Sequence, residues 1–405
     1  MKVLLVGSGG REHALAWKLS QAPSLDELHA APGNPGIAGL GQCHPVHAAD
    51  GEGLLHLAGA LDADLVVVGP EGPLVAGVAD ELRHAGVPVF GPSREAARIE
   101  GSKTFAKDVM RDAGVATAES LSIARVPCVI KADGLAAGKG VFVCHDQTEL
   151  DGTLLAAAAF GDSIVIEELL EGEEISVFAL CDGVRALALP VVQDFKRADE
   201  GDEGPNTGGM GSYSPVPGVG DAETQELLET MHKPVLAELA RRGSPFVGLL
   251  YGGLMLTPDG PRVLEFNARF GDPETQSILP RLDGDLLEAL HGAATGDVGD
   301  WIGAGPDAAV TVVIAAPDYP QAGDTGTPIE GVENAEADGA LVFHAGTAVR
   351  DGGLVTNGGR ILNVTATGKD VSGARAKAYA AVDKISFPGM RYRTDIAAKA
   401  EARVG

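Results

Sequence analysis

The stretch RVLEFNARFGDPE, residues 262–274, decides the fold class of this chain. Its first half alternates apolar and polar residues, as a half-buried β-strand does, since successive side chains of a strand point to opposite faces. One face should carry the polar residues Glu265, Asn267 and Arg269. The other face, toward the core, should carry Leu264, Phe266 and Ala268. A carboxylate, a carboxamide and a guanidinium on one face suit a magnesium ion and the phosphate oxygens that it bridges. The alternative is a strand whose polar face only meets solvent.

Length and composition indicate a globular protein of several domains. The chain has 405 residues, of which 45% are hydrophobic and 22% charged, and this length suggests about three domains with sizeable cores. No run of about 18 apolar residues could span a membrane, and the start MKVLLVGSGG is typical of a buried first strand, not of a signal peptide. The net charge of −26 argues against nucleic-acid binding. A site for anionic substrates must therefore be built locally.

The cysteines predict neither a zinc site nor a disulfide framework. Cys43, Cys128, Cys144 and Cys181 form no C-x-x-C pair, and His44 and His47 have no cysteine partners at zinc-finger spacing. We therefore expect reduced, mostly buried thiols in a cytoplasmic protein.

Residues 1–102 are predicted to form a parallel β-sheet with crossover helices. Near-continuous apolar runs at 2–6, 65–68 and 87–90 each end in glycine or proline, and helical patterns lie between them. Ligands of such sheets bind at the carboxyl ends of the strands, where this chain has GSGGREH, APGNPG and GPEGPL. Because glycine-rich turns that lead into a helix offer backbone amides to a phosphate, we expect a phosphorylated small molecule here. A tight turn without a ligand is the alternative.

A nicotinamide dinucleotide is a weaker interpretation of the first turn. Gly7 and Gly9 fit the G-x-G-x-x-G fingerprint, but Glu12 stands where the third glycine should be. The sequence HAAPGN also lacks the acidic residue that would hold an adenosine ribose. An oxidoreductase with a Rossmann domain is therefore the less favoured class.

The second segment, residues 103–315, opens with an amphipathic helix capped by Ser102 and includes a flap subdomain at about 122–190. Within it, PCVIKADGLAAGKGVFVC, residues 127–144, is predicted to form a strand, a loop and another strand. The GLAAGKG loop differs from a Walker loop in its spacing, and β character resumes after it instead of a helix.

This glycine-rich loop is predicted to be a flap that covers a triphosphate. Lys131 lies on the incoming strand and Lys139 at the tip, and two lysines beside a loop of amides can counter phosphate charge. Glycines at 134, 138 and 140 should let the loop move without nucleotide and order with it. As an isolated loop it could equally be a solvated hairpin.

Two further stretches carry candidate nucleotide contacts. SIVIEELLEGEEISVFAL, residues 163–180, is predicted to form two strands joined by a short link, which could offer backbone groups near Leu170 to an adenine edge and Glu174 to ribose hydroxyls. The alternative is a charged loop. Residues 190–215 show little strand or helix character, and loops of this length are usually functional or disordered. Its candidate phosphate or substrate contacts are Lys196, Arg197 and Asn206.

The third segment, residues 316–405, is predicted to be a lid or packing domain of α+β type. It contains short strands with the tight turns RDGG and TNGGR and a helix from about 371 to 384. No constellation of catalytic residue types stands out in it.

In their order along the chain, these motifs resemble the ATP-grasp ligases and, among them, the glycinamide ribonucleotide synthetase family. The resemblance covers the whole length: GSGGREHAL, APGNPG, VGPEGPL, KADGLAAGKGV, EELLEGEEIS, QDFKR, GPNTGGMG, EFNARFGDPETQ and FPGMRYRTDIA. RFGDPETQ is its most specific element, since related ATP-grasp enzymes share E-x-N but continue differently. The resemblance implies an α/β chain with an amino-terminal parallel-sheet domain (pre-ATP-grasp, Rossmann-like), an ATP-grasp domain with a flap and a carboxy-terminal α+β domain.

The resemblance also implies a reaction. The carboxylate of glycine would attack the γ-phosphate of ATP, and the amine of 5-phosphoribosylamine would then attack the resulting glycyl phosphate, releasing phosphate. Such an enzyme of de novo purine biosynthesis would use ATP with Mg²⁺ or Mn²⁺ and is expected to be a monomer. Another ATP-grasp carboxylate–amine ligase is the alternative.

Site residues follow from the same resemblance. Catalysis would involve Arg269 and Lys131, and the metal would be held by Glu265 and Asn267. ATP would be bound by residues of the first helix, the flap, the link and the long loop: Lys103, Lys131, Gly134, Gly138, Lys139, Gly140, Glu167, Glu168, Leu169, Leu170, Glu174, Arg197 and Asn206. Glycine and phosphoribosylamine would be bound by the amino-terminal turns, the long loop and the turn after the metal strand: Gly9, Gly10, Arg11, Glu12, Asn34, Gly36, Glu71, Asp194, Lys196, Gly271, Asp272 and Pro273.

Overall fold

The amino-terminal residues form a five-stranded parallel sheet flanked by helices, as predicted. The computed structural model of the chain describes residues 1–135, 140–157, 163–300 and 303–400. The first elements are β1 Lys2–Gly7, α1 Gly10–Leu19, β2 Glu27–Pro32, β3 Gln42–Cys43, α2 Gly51–Leu61, β4 Leu65–Val68, α3 Glu71–Ala76, α4 Val78–His84, β5 Val89–Phe90 and α5 Arg94–Gly101. The sheet order is β3-β2-β1-β4-β5, and its strands pair in parallel. The glycine-rich turns therefore meet at one edge of the sheet.

Two antiparallel sheets and their helices follow. The elements are α6 Lys103–Ala113, β6 Cys128–Ala132, β7 Val141–Cys144, α7 Gln147–Ala157, β8 Ile164–Glu168, β9 Glu173–Asp182, β10 Ala186–Ala188, β11 Gln193–Asp194, β12 Arg197–Asp199, β13 Glu203–Asn206, β14 Gly211–Ser214, α8 Asp221–Leu227, α9 Lys233–Arg241, β15 Val247–Thr257, β16 Gly260–Asn267, α10 Glu274–Ile278, β17 Leu282–Asp283, α11 Leu286–Thr295 and β18 Gly303–Ala304. The flap sheet has the order β7-β6-β8, and the larger sheet has the order β10-β9-β15-β16. The two predicted strands of the flap and the strand–link–strand unit are confirmed, whereas residues 136–139 of the flap loop lie outside the described residues.

Helix α6 begins where the sequence places it. The Ser102 hydroxyl accepts a hydrogen bond from the backbone N–H of Phe105, which satisfies one of the free donors of the first turn. Ala106, Val109 and Met110 bury the apolar face of the helix, and Gly114 ends it in the left-handed conformation.

The core face of β16 differs from the predicted alternation. Gly253 pairs with Glu265 and Leu254 pairs with Val263, so Leu264 is an extra residue in a β-bulge. Val263 and Phe266 are therefore the buried core residues, while Leu264 lines the cleft described below. The prediction that Leu264 faces the core was wrong, because a bulge shifts the strand period by one residue.

The stretch 190–215 is not a loop without regular structure, contrary to the prediction. It contains β11, β12, β13 and β14, each two to four residues long. Strands this short carry little sequence signal. β12 pairs with β13 and β11 with β14, and β14 also pairs with the distant residues 309–312.

The carboxy-terminal elements form an antiparallel sheet with two helices and a small second sheet. They are β19 Ala308–Ala315, β20 Asp324–Pro328, α12 Val332–Ala337, β21 Leu341–His344, β22 Thr347–Arg350, β23 Gly353–Gly358, β24 Arg360–Gly368 and α13 Val371–Val382. The larger sheet has the order β11-β14-β19-β24-β21, and the smaller one β20-β23-β22. The α+β character and the helix near 371 are as predicted. Strand β19 and the two strands from 193–214 lie before the proposed boundary at 315, so this sheet extends across it.

Within the described ranges, no helix is long and apolar enough to cross a bilayer. The four cysteines are free thiols, and Cys128, Cys144 and Cys181 are buried.

Candidate active site

A cleft runs between the flap sheet, the larger antiparallel sheet and the carboxyl edge of the parallel sheet. It consists of two adjoining cavities of about 240 Å³ and 550 Å³. Lys131, Glu167, Lys196 and Glu265 line both of them. The predicted ATP and metal residues therefore converge on one continuous space.

The larger cavity is an apolar slot with a polar rim. Val129 and Val143 of the flap sheet face Met255 and Leu264 across it. The predicted ATP residues that line it are Lys131, Glu167, Glu168, Leu169, Leu170, Glu174, Arg197 and Asn206. A flat aromatic ring suits an apolar slot of this kind, and the surrounding polar groups can fix its orientation.

Glu167 holds two lysines at the junction of the cavities. Its carboxylate lies 2.7 Å from the Lys131 Nζ and 2.7 Å from the Lys107 Nζ. The Lys131 ammonium also donates to the backbone carbonyl of Leu264 at 2.8 Å. Burial lowers the pKa of Lys107, and the Glu167 carboxylate opposes that shift. Glu167 is itself only 2% exposed, and each of its carboxylate oxygens pairs with one of these lysines.

The root of the flap is attached to the start of α6. The Asp133 carboxylate accepts hydrogen bonds from the Lys103 backbone N–H at 2.6 Å and from the Thr104 hydroxyl at 2.8 Å. The Lys103 ammonium donates to the carbonyl of Gly134 at 2.9 Å. Gly134 has a φ of 111°, which favours glycine. Gly134 and Gly140 line the smaller cavity, whereas the predicted contacts Gly138 and Lys139 lie outside the described residues.

Glu265 and Asn267 project from β16 into the smaller cavity. Burial opposes ionisation of Glu265, but Lys196, Lys131 and Lys103 outweigh it, and the pKa of Glu265 lies below its ordinary value. The described residues include no group of three or more His, Cys, Asp or Glu that could form a metal cage. Magnesium at a nucleotide site needs only one or two protein ligands, because substrate phosphates and water supply the rest. An ionised carboxylate and a carboxamide oxygen fit that requirement.

Arg269 lies just beyond the end of β16 and is held by two carboxylates. Its Nε lies 3.2 Å from Glu71 Oε2, and its Nη2 lies 3.0 Å from Glu100 Oε1. Burial would lower the pKa of the guanidinium, but Glu100 and Glu71 raise it instead. Burial likewise opposes ionisation of Glu71, whereas Arg11 and Arg269 bring its pKa down to about 2. This network fixes a permanent cation at the cavity wall.

Five of the predicted substrate residues line the smaller cavity: Arg11, Glu71, Asp194, Lys196 and Asp272. The Arg11 Nη1 donates to the carbonyl of Phe270 at 2.9 Å. Burial opposes ionisation of Asp272, but Arg360 and Arg11 hold its pKa below the ordinary value. The structure therefore places the start of α1 against the turn that follows β16.

The other predicted substrate residues do not line this cavity: Gly9, Gly10, Glu12, Asn34, Gly36, Gly271 and Pro273. The Glu12 side chain is buried and accepts a hydrogen bond from the Gly9 backbone N–H, so a protein carboxylate occupies the start of α1 where a phosphate was expected. A β carbon at Gly7 would lie 2.6 Å from the Glu12 side chain. Glu12 thus fills the space that a dinucleotide fold keeps clear with its third glycine.

Asn34 and Gly36 serve the packing of the turn after β2. The Asn34 amide donates to the carbonyls of Ser8 at 2.9 Å and His344 at 2.8 Å, and a β carbon on Gly36 would lie 2.1 Å from the His13 ring. These contacts connect the amino-terminal sheet to the carboxy-terminal sheet.

The chain matches known proteins over its whole length. Three family models of phosphoribosylglycinamide synthetase match this chain. The N-domain model matches residues 1–100, the ATP-grasp (A) domain model residues 101–275 and the C-domain model residues 309–399. The chain belongs to the phosphoribosylglycinamide synthetase family. The phosphoribosylamine–glycine ligase of Streptomyces coelicolor is 52% identical over 420 aligned positions, covering 99% of each chain.

Solved structures support the same family assignment. The phosphoribosylamine–glycine ligase of Thermotoga maritima is 37% identical and superposes with a TM-score of 0.86 over 98% of this chain and 100% of that one. A biotin carboxylase domain from Hydrogenobacter thermophilus, solved with MgADP and bicarbonate, gives a TM-score of 0.71 at 16% identity, over 96% of this chain and 91% of that one. At that identity the likeness shows the ATP-grasp fold alone.

Several charged or polar residues that line the smaller cavity were not predicted from the sequence. They are Glu100, Lys107, Tyr251, Glu274 and Arg360. Lys107 could have been found, because it lies one helical turn after Lys103 on the same face of α6. Arg360 could not: it enters from the carboxy-terminal sheet and donates to the carbonyls of Gly208 at 2.7 Å and Asp272 at 2.6 Å.

Substitution of Gly10 by alanine is expected to lower the free energy of unfolding by about 1–3 kcal/mol, the usual cost of overpacking. The new β carbon would lie 2.2 Å from Asn363 Nδ2 and 2.7 Å from Gln276 Nε2. Gln276 cannot move freely, because its amide donates to Asp272 at 3.0 Å. Denaturant unfolding measures the effect. The matched control is Gly59→Ala in α2, because no atom would lie within 4 Å of the new β carbon. This variant should raise the free energy of unfolding by about 0.5–1 kcal/mol. Equal stability of the two variants would contradict the packing role of Gly10.

Proposed function

We propose that this enzyme joins glycine to 5-phosphoribosylamine with conversion of ATP to ADP and phosphate, the reaction named for its relatives, as a step of de novo purine synthesis. The observation that carries the proposal is the position of Glu265 and Asn267. They face a cavity lined by Lys103, Lys131 and Lys196, and an apolar slot opens directly beside it. An adenine ring in the slot would direct its phosphates toward these cations.

The metal would be held by Glu265 and Asn267 together with phosphate oxygens. When bound, Mg²⁺ or Mn²⁺ would neutralise charge on the terminal phosphates as a Lewis acid. Lys131 and Lys103 supply further positive charge at the same place, and Glu167 keeps the Lys131 ammonium fixed at 2.7 Å. Because these groups are held before the substrate arrives, little reorganisation is needed during the reaction.

The chemistry has two steps. The carboxylate oxygen of glycine attacks the γ-phosphorus, the bond to the β–γ bridging oxygen breaks, and ADP leaves. The amine nitrogen of 5-phosphoribosylamine then attacks the acyl carbon of glycyl phosphate, inorganic phosphate leaves with the bridging oxygen, and the amine loses a proton. Activation is required because a carboxylate is a poor acyl donor. Arg269, held by Glu71 and Glu100, is the group proposed to stabilise the phosphoryl group in transfer.

Glycine labelled with ¹⁸O in its carboxylate should transfer one labelled oxygen to inorganic phosphate, with ADP formed in step with the product. The acceptor phosphoribosylamine is made freshly, and reactions without it or with other amines serve as controls. Mass spectrometry of the phosphate and chromatography of the nucleotides measure the outcome. AMP with pyrophosphate, or unlabelled phosphate, would contradict the acyl phosphate route. Turnover with a different amine alone would point to another ATP-grasp ligase.

The cytoplasmic location and the monomeric state remain predictions from the sequence. Sedimentation equilibrium of the full chain tests the second of them directly.

A further inference from the structure

The RYRTD segment, residues 391–395, is anchored in the carboxy-terminal domain. It belongs to the FPGMRYRTDIA motif, and no step of the proposed reaction uses it. Arg391 exchanges two backbone hydrogen bonds with Ala315 of β19, at 2.7 and 2.9 Å. The Tyr379 hydroxyl of α13 donates to the carbonyl of Arg393 at 2.7 Å. The backbone of the segment is therefore held by the carboxy-terminal sheet and helix, while its side chains contact a distant part of the chain.

That distant part is the tip of the β12–β13 hairpin, residues 199–202. Each tip residue has its own hydrogen-bond or ion-pair partner in the RYRTD segment: Asp199 with Arg391 at 2.7 Å, Glu200 with Thr394 at 2.5 Å, Gly201 with Asp395 at 2.9 Å and Asp202 with Arg393 at 2.9 Å. Contacts this regular show that the segment binds the hairpin tip as a unit.

Arg393 is the centre of these contacts and is only 1% exposed. The Asp395 carboxylate accepts two hydrogen bonds from its guanidinium, at 2.8 and 2.7 Å. Its Nη1 donates to the carbonyl of Arg197 at 3.0 Å, and its Cζ lies 5.0 Å from the centroid of the Phe195 ring. Phe195 and Arg197 both line the larger cavity. A buried arginine of the carboxy-terminal domain thus supports the wall of the apolar slot.

The β12–β13 hairpin needs such support. In the described part of the chain it is a sheet of two strands, and an isolated two-stranded hairpin is marginally stable at best. Gly201, Asp202 and Gly204 have φ values of 70°, 62° and 77°. This left-handed conformation is unfavourable for a residue with a β carbon and persists only where the surroundings hold it. Asp202 is held by Arg393 and by Lys399, which lies 2.7 Å from its carboxylate.

The base of the hairpin contacts the flap. Arg197 pairs with Asn206 across the hairpin, and its Nη1 donates to Asn206 Oδ1 at 3.3 Å. The Asn206 amide nitrogen donates to the backbone carbonyl of Val141 at 2.9 Å. Val141 is the first residue of β7, an edge strand of the flap sheet, and it lines both cavities. A continuous series of contacts therefore connects the RYRTD segment to the flap.

We propose that the RYRTD segment, through Arg393, holds the β12–β13 hairpin against the flap and so sets the position of β7 over the bound nucleotide. Arg393 lines neither cavity. It is a positioning residue that acts through Arg197 and Asn206. The inference rests on the proposed function only in taking ATP as the ligand of the larger cavity. When the hairpin is not held, a smaller fraction of molecules has the flap in position, and the apparent Kd for ATP rises by the inverse of that fraction.

The first test is Arg393→Lys, which keeps the positive charge. An ammonium group cannot reproduce the planar fork that joins Asp202, Asp395 and a backbone carbonyl. The KM for ATP should rise about 10-fold, the size expected for loss of one charge-assisted hydrogen bond. The kcat at saturating ATP should stay within about threefold of wild type, because bound ATP itself favours the positioned flap. A merely structural loss would instead lower kcat with the active fraction and leave the ATP KM unchanged.

Hydrogen exchange of the full chain with Mg²⁺ and β,γ-imido-ATP locates the effect. In Arg393→Lys the amides of residues 199–206 and of β7 should exchange at least about fivefold faster than in wild type, because local opening no longer has to break the contacts of Arg393. The amides of β24 should exchange at the wild-type rate. The calorimetric Kd for β,γ-imido-ATP should rise by the same factor as the ATP KM, and this measurement does not depend on turnover.

Two further variants make the result specific. Arg185→Lys is the matched control, since Arg185 also bridges two aspartates but lines neither cavity. It should change the ATP KM less than about twofold. Asp202→Asn tests the same contact from the hairpin side if Arg393→Lys fails to fold. It should raise the ATP KM about 3- to 10-fold. Asp202 lines the larger cavity, so loss of its charge beside an anionic nucleotide would by itself lower that KM.

The outcomes separate the two proposals. A wild-type chain that binds β,γ-imido-ATP but releases no ADP with glycine and phosphoribosylamine would contradict the proposed function alone. An unchanged ATP KM and Kd in Arg393→Lys and Asp202→Asn would contradict the positioning role alone. Faster exchange confined to the hairpin, with β7 unchanged, would also contradict it, because the contact with the flap would then have no effect.

Discussion

Glu265→Gln is expected to lower turnover at least about 10³-fold while the chain remains folded. The carboxylate is the one anionic metal ligand assigned on β16, and loss of metal-mediated charge stabilisation raises a barrier by several kcal/mol. Folding should survive because Val263 and Phe266, not Glu265, are the core residues of this strand. Asn267→Ala should also abolish most turnover, since it removes the second oxygen ligand.

Steady-state ADP formation at saturating magnesium measures this effect, and circular dichroism checks the fold. Glu203→Gln, an exposed carboxylate on β13, is the matched control and should retain full activity. Near-normal turnover of Glu265→Gln at saturating magnesium would show that the metal is held elsewhere.

Lys131→Met is expected to lower kcat/KM for ATP about 10²-fold, because it removes a buried cation from the phosphate region. The methionine keeps the apolar stem of the side chain. The Lys107–Glu167 ion pair at 2.7 Å remains, so Glu167 is not left as an uncompensated buried charge. The substitution should therefore lower kcat/KM for ATP far more than it lowers the free energy of unfolding.

Steady-state kinetics at varied ATP concentration measure the effect on kcat/KM. Denaturant unfolding measures the effect on stability. Lys233→Met at the start of α9 is the control, since this lysine forms a largely exposed ion pair with Glu229, four residues before it, and such pairs contribute little. If Lys131→Met unfolded at far lower denaturant while retaining ATP kinetics, the ammonium would be structural and the phosphate assignment wrong.

The flap and link units were predictable because their signals are local. Strands β6 and β7 pair antiparallel, and the residues that pair are close in sequence. The cap of α6 depends on a single hydroxyl and the amide three residues later. The parallel sheet was likewise visible, since strands buried on both faces appear as continuous apolar runs.

The roles of individual polar residues were less predictable, because they depend on partners far away in sequence. The sequence predicts Glu167 as an adenosine contact, and the pairing of its carboxylate with Lys107 on one helix and Lys131 on a strand was not predicted. Glu12 was expected to bind substrate, and the fold buries it against the glycine turns instead. Neither outcome follows from residue type or spacing.

The sequence by itself determined the order of motifs and most of the strand and helix content around them, and it predicts Glu265 and Asn267 as metal ligands. Tertiary structure decided which polar side chains reach the cleft, through the bulge at Leu264 and through Arg360, which arrives from the carboxy-terminal sheet. The physical reason is that periodicity, capping and turns depend on neighbours within a few residues. Burial of a charge depends on which distant segment packs against it, and the residues near Arg360 in the sequence do not encode that partner.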